Sequence, residues 1–275
     1  MRSDGRVRGG PRSDFCKCPL LALSRHELVR CTALAFDPKR TWLLAVYSCL
    51  GQKGVPPSLP TSEPDSRGGK TVLKIYGAAH SQAFRVIWLA NEINLSYQHV
   101  PVTFGGSEAQ CKEPWFLALN PNGRVPVVDD DGFVMWESAA INLYLAEKYK
   151  SSLYPTSPQG RGRMLQWAFF VSIHVEPPLI TLFRNRVFYP PEQRNALVAD
   201  KAEEEYSLLI LEQELGRNPF FGGRQWDMSD FMVACVLYVL TRLNLDLTAY
   251  PKLEAWLMAS INRPAAQSAR KLRET

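Results

Sequence analysis

Residues 120–138, NPNGRVPVVDDDGFVMWES, constrain this chain more than any other stretch. Two short apolar runs, residues 125–128 and 133–135, flank Asp129, Asp130, Asp131 and Gly132. An Asp-Gly pair between β-forming runs is a strong hairpin signal, because these residues tolerate the positive φ of a tight turn. Residues 139–149, AAINLYLAEKY, then carry the apolar spacing of a helix. The sequence predicts strand, turn, strand, helix, with Pro126 at the second position of the first strand. Proline cannot donate to a ladder and is normally excluded from interior strands. A cis Val125-Pro126 peptide resolves the conflict by leaving the backbone of Val125 unpaired. Such an exposed edge can take up an extended peptide by main-chain hydrogen bonds. The helix start at Ser138 offers free amides for a carboxylate, and Glu137 beside it suits an ammonium. The run therefore suits a small peptide. Its three aspartates read as a solvated hairpin tip rather than a metal site.

This segment resembles the glutathione-binding core of cytosolic glutathione transferases, where N-P-x-G-x-V-P is followed by E-S at a helix start. The resemblance extends over roughly residues 72–270. It implies a thioredoxin-like N-terminal domain at 71–150, a linker at 151–158 and an all-helical C-terminal domain at 159–275. It further implies that Val125 pairs its backbone with the cysteinyl unit of glutathione, with Pro126 cis. Glu137 and Ser138 would hold the γ-glutamyl end, and Arg124 the glycyl carboxylate.

The residues on either side agree with that order. Residues 72–76 alternate as a strand, 77–82 form a loop, and 83–93 place Val86, Leu89, Ala90 and Ile93 on one helical face. A second strand over 95–102 and a short irregular helix lead to the hairpin. Beyond the Pro-containing linker the chain is helical, with long helices expected over 161–183 and 192–215. Pro177 and Pro178 should end or sharply kink the first of these. Asp227 and Asp230 have the spacing of a capping box before an apolar helix, and residues 251–261 form another.

A transferase of this kind needs a bound thiol that ionises near neutral pH, whereas a free thiol has a pKa of about 8.5. A hydroxyl donor and a helix N-terminus aimed at the sulfur would stabilise the anion. Ser81 in the first loop, with Arg85 four residues on, resembles the serine-type (theta- and zeta-like) members and is the candidate thiolate stabiliser. His80 and Tyr76 are the alternatives. No cysteine stands in the loop, unlike the omega-like members. Zeta-like isomerases carry Ser-Ser-Cys where this chain has His80, Ser81 and Gln82. The family's electrophile site implies Phe169, Phe170, Ile173, His174 and Phe183 as its wall. Trp115 and Phe116 are candidates for a homodimer contact.

The formal charge of +5 is unevenly spread: residues 1–70 hold 12 Lys and Arg against 6 Asp and Glu, and the rest hold 20 against 21. The basic character thus belongs to the first segment, and nucleic acid is not implied. That segment, rich in Gly, Pro, Ser and Arg, reads as a disordered extension without part in catalysis, the competing readings being a transit peptide and sequence upstream of the start codon. Cys16 and Cys18 lack the spacing of a zinc knuckle, Cys111 and Cys235 read as isolated thiols, and the apolar run at 42–50 is too short to span a bilayer. The expectation is a cytoplasmic homodimer that uses glutathione as co-substrate, without metal or membrane. It would attach the thiolate to small hydrophobic electrophiles. The alternatives are a non-catalytic interaction module on the same scaffold and a specialised glutathione-dependent isomerase or dehalogenase.

Overall fold

In the computed structural model, which describes residues 72–106, 108–205 and 208–274, the first strand β1 is Leu73–Tyr76. The segment 1–70, with Cys16 and Cys18, lies outside the described residues. Leu73 and Ile75 point into the main core, while Lys74 and Tyr76 take the other face, as strand alternation requires. Helix α1 (Ala83–Glu92) carries the chain across to β2 (Tyr97–Val100), which pairs parallel with β1. After α2 (Pro114–Leu119), β3 (Val127–Asp130) pairs antiparallel with β1, and a tight turn leads into β4 (Phe133–Trp136). The sheet order is β2-β1-β3-β4, closed by α3 (Ser138–Lys148). This mixed four-stranded sheet is the thioredoxin-like arrangement.

The hairpin differs from its sequence-based expectation in two details. Val125-Pro126 is cis, but Pro126 precedes the strand instead of lying in it: the ladder runs from Val127↔Trp136 to Asp130↔Phe133. Asp129 caps the turn by accepting from the amide of Gly132 at 2.8 Å. Asp130, in contrast, is no solvated tip. It is buried and accepts from the hydroxyls of Tyr144 and Tyr149 at 2.9 and 2.8 Å and from Lys148 Nζ at 2.7 Å. Spaced along the end of α3, those three side chains turn the hairpin aspartate into an anchor for the helix.

The helical part begins at α4 (Pro158–Phe170), capped by Ser157 Oγ, which accepts from Gly160 N at 3.0 Å. Pro177 and Pro178 do not end this helix. A π-helical turn, Val171–Val175, precedes them and they fall in the first turn of α5 (Glu176–Phe183), where a missing N–H costs little. A second π-helical turn, Arg184–Phe188, follows. The helix expected over 192–215 begins late: residues Pro191–Gln193 make a 3-10 turn, Asn195 Oδ1 accepts from Val198 N, and α6 is Ala196–Glu205. Then come α7 (Leu209–Arg217), α8 (Met228–Leu237), α9 (Leu240–Leu243), α10 (Pro251–Ile261) and α11 (Pro264–Glu274). The last of these has no counterpart among the helices expected from sequence, and it packs along α1.

All ten residues of α8 are buried, and its expected capping box is present. Asp230 does more than cap. Its carboxylate accepts from the amides of Phe221, Gly222 and Asp227 and from Trp256 Nε1, at 2.8 to 3.3 Å. Burial pushes this carboxyl up to about 6 against those four donors, which favour the charged form. One apolar core runs from Leu73 and Ile75 through Trp88 of α1 to Phe231 of α8 and Leu257 of α10, so sheet and helical bundle share it.

Candidate active site

A cleft of about 820 Å³ opens where the loop after β1 faces the helical part. One wall holds His80, Ser81 and Gln82 with Arg124 and Val125; the other holds Ile180, Phe183, Arg242 and Arg273. Gly77 draws the first wall together. It sits at φ +138, and a Cβ there would lie 2.9 Å from Ala83 Cβ and 3.0 Å from Val125 Cβ. Only glycine lets the loop and the cis-proline segment approach this closely.

Ser81 occupies a turn just before α1. Its Oγ donates to the carbonyl of Ala78 at 2.6 Å and accepts from Ala83 N at 3.1 Å. The hydroxyl therefore satisfies the helix start while facing the cleft. His80 also lines the cleft, its ring 5.2 Å from that of Phe104. Burial lowers its pKa below the usual histidine value, and the guanidiniums of Arg273 and Arg242 push the same way. At pH 7 it is thus a neutral ring, which brings no net charge to a sulfur. Tyr76 is on the opposite side of the strand, packed with Trp115 at 6.5 Å between centroids, and lines no part of this cleft.

The turn at 120–125 is built by Asn120, whose buried amide donates to the carbonyl of Arg124 at 2.7 Å and accepts from Asn122 N at 3.0 Å. That fixes Arg124 and Val125 on the cleft wall. Lys112 lines the same wall, its Nζ 2.9 Å from where a Cβ on Gly123 would stand. It is a second cation beside Arg124, one that no sequence motif singled out. Pro126, Glu137 and Ser138 do not line the cleft itself. Extending the register one step past Val127↔Trp136 brings Pro126 opposite Glu137. Glu137 is exposed and held at φ +74, an unfavourable conformation for a residue other than glycine. Such strain, of order 1–3 kcal/mol, is typical of positions that the surroundings over-determine. It aims the chain into α3, whose first residue, Ser138, is buried at the helix N-terminus.

The second wall corrects the expectation from sequence. Of the five side chains expected there, only Phe183 faces the cleft. Phe170 and His174 stack on each other beside Trp167, while Phe169 and Ile173 are each 60% exposed. The intervening π-helical turn shifts the helical phase, so the face that continues into the cleft is that of Ile180, Phe183 and Arg184. Tyr238, Arg242 and Arg273 complete it from α8 onward. Arg85, expected as part of the thiolate pattern, instead makes a bidentate ion pair with Glu176 of α5 at 2.7 and 3.2 Å. Gln82 donates to the same carboxylate at 2.9 Å. Together they pin the start of α1 against the second wall. Cys111 and Cys235 are buried free thiols, and burial pushes Cys235 well up, so it is no nucleophile. Among the described residues no group of three or more His, Cys, Asp or Glu is placed to hold a metal ion, and no helix is long and apolar enough to cross a membrane.

The family model of the glutathione S-transferase N-terminal domain matches residues 71–147, and that of the C-terminal domain matches residues 207–258. Glutathione S-transferase GstB of Escherichia coli K12 is 30% identical over 189 residues, covering 66% of this chain and 89% of that protein. Glutathione S-transferase 3 of Zea mays is 33% identical over 207 residues, covering 71% and 91%. The crystal structure of a theta class glutathione S-transferase from Xanthomonas axonopodis pv. citri, with glutathione bound, superposes at a TM-score of 0.67 with 28% identity. It covers 72% of this chain and 97% of the other.

Proposed function

The chain belongs to the glutathione S-transferase family, and we propose that it adds the glutathione thiolate to electrophilic carbon in the cleft, with Ser81 holding the sulfur. The observation that carries this reading is the close approach, across Gly77, of the Ser81 loop to the cis-proline segment. It supports an extended tripeptide lying along Val125 with its cysteinyl sulfur toward Ser81. The backbone of Val125 pairs with the peptide, and Arg124 and Lys112 face the glycyl carboxylate. Glu137 takes the γ-glutamyl ammonium, and the amides at Ser138 take its carboxylate.

For the thiol to ionise, the Ser81 hydroxyl turns from the Ala78 carbonyl to the sulfur. The N-terminal amides of α1 add positive potential. The proton leaves to solvent. The electrophile then needs only to be held beside the anion, so proximity and thiolate stabilisation account for the rate. Calorimetric titration of glutathione tests the binding half. Glu137→Ala is expected to weaken binding about ten-fold, as for loss of one charge-assisted hydrogen bond worth ~1.5 kcal/mol. Unchanged affinity would remove Glu137 from the site, and wild-type protein that binds no glutathione would sink the whole reading.

A homodimer belongs to the same proposal. Leu165 and Phe169, one turn apart on α4, are exposed, as are Ile173 in the following π-helical turn and Phe133 and Trp136 of β4. So many exposed apolar side chains suit a partner better than water. Of the two dimer-contact candidates from sequence, Phe116 is buried in its own subunit, while Trp115 is 43% exposed. Sedimentation should show a dimer that Phe169→Glu converts to monomer. A monomeric wild type would overturn this part alone.

A further inference from the structure

The helical wall of the cleft holds three arginines without an ion pair among the described residues, Arg184, Arg242 and Arg273, of which the last two stack on aromatic rings. Arg242 lies with its guanidinium carbon 4.8 Å from the ring centroid of Phe183. Arg273, delivered by α11, lies against the stacked rings of Phe84 and Tyr238, 4.9 and 5.0 Å from their centroids, and donates to the carbonyl of His80 at 3.5 Å. Stacking of this kind fixes the plane of a guanidinium and leaves its N–H edge free for a planar anion. Arg85, Arg163, Arg186 and Arg263, by contrast, are each ion-paired to a carboxylate. Among the described residues no carboxylate stands within ion-pair distance of Arg242 or Arg273.

The two also act on each other and on a common neighbour. Burial lowers the pKa of Arg273, and the charge of Arg242 lowers it further. Both charges depress His80 after its own burial does. Two like charges held together in an apolar-walled cleft cost free energy unless an anion joins them. The tripeptide is no candidate for that role, because its carboxylates have Lys112, Arg124 and the α3 amides on the other wall.

We infer that the second-substrate half of the cleft takes an electrophile bearing a carboxylate or similar anionic group, held by Arg242 and Arg273. This rests on the transferase reading of the site. In it, the apolar part of the electrophile lies against Phe183 and Ile180, with its anion on the arginines and its reactive carbon toward Ser81.

The test uses 4-chloro-3-nitrobenzoate and its methyl ester with the full chain. Glutathione thiolate attacks the chlorine-bearing ring carbon; a C–S bond forms, the C–Cl bond breaks, chloride leaves with the bonding pair, and the thiol proton goes to solvent. The acid is expected to show at least ten-fold higher kcat/KM than the ester, each relative to its uncatalysed rate. Arg242→Gln and Arg273→Gln should each lower that ratio about ten-fold, and Arg242→Lys should retain part of it. Calorimetry on protein saturated with S-methylglutathione reads binding of acid and ester without turnover. If neither compound is turned over yet the acid binds selectively, the transferase reading fails and the anion site stands. If the ester reacts or binds as well as the acid, the anion site is overturned. It is overturned equally if the Gln variants weaken S-methylglutathione while leaving the acid-to-ester ratio unchanged.

Discussion

Replacing Asp230 with Asn is expected to cost about 3–5 kcal/mol of stability, read as a large fall in the urea midpoint, because it breaks a buried network around a charge. Each carboxylate oxygen accepts two hydrogen bonds: Oδ1 from Phe221 N and Trp256 Nε1, Oδ2 from Gly222 N and Asp227 N. An amide has the same shape but presents an NH2 to one of those donor pairs, so two buried N–H groups lose their acceptor and meet another donor. The network joins the loop at 220–222, the start of α8 and α10, so the loss falls on the element that forms the centre of the core.

The pH dependence adds a second test of the same residue. The folded carboxyl titrates at about 6, against 3.8 for an ordinary aspartate. Between those values the native state binds more protons than the unfolded one, so this group makes the fold more stable as pH falls through that window. Above about 6 that gain is absent. Asn has no such proton to bind, and the deficit of the variant should therefore be larger at pH 5 than at pH 7. A deficit under ~1 kcal/mol would contradict the network as described, and one that shrinks on acidification would mean that the folded carboxyl is not raised above its ordinary value.

Local grammar explains which features were legible from sequence. The hairpin, the cis Val125-Pro126 bond and the Asp227/Asp230 capping box each lie within a few consecutive residues whose backbone chemistry determines them. Asp130 was not legible as an anchor, because three aspartates before a glycine look like a turn tip. A signal for its burial did exist, since Tyr144, Lys148 and Tyr149 form a donor face on the following helix. The second wall was harder. Helical periodicity counted from Phe169 cannot carry past a π-helical turn, and nothing in the spacing of Val171–Val175 announces one. Arg242 and Arg273 stand on separate helices, α9 and α11, and it is the packing of α11 along α1 that brings Arg273 to the cleft.

The substitution with the largest expected effect on catalysis is Ser81→Ala. Removing one donor from a developing or resident anion typically costs 10²–10³ in rate. We expect kcat/KM to fall about 100-fold below pH 7, with the ionisation of bound glutathione moving back toward ~8.5. The ultraviolet absorbance of the bound thiolate, titrated against pH, reads this directly. The turn around Ser81 sets a control. Its hydroxyl also caps the start of α1, so Ala costs roughly 1 kcal/mol of stability whether or not the residue touches sulfur. A stability loss alone therefore proves nothing about catalysis, and Ser81→Thr, which keeps the hydroxyl, should restore much of the thiolate. A low thiol pKa that survives Ser81→Ala would move the role to the α1 amides or the His80 ring. Tyr76 could not inherit it, because strand alternation turns that side chain toward Trp115 and away from the cleft. Glutathione bound with an unshifted thiol even in the wild type would mean that the Ser81 hydroxyl stays on the Ala78 carbonyl, leaving a scaffold that binds the tripeptide without activating it.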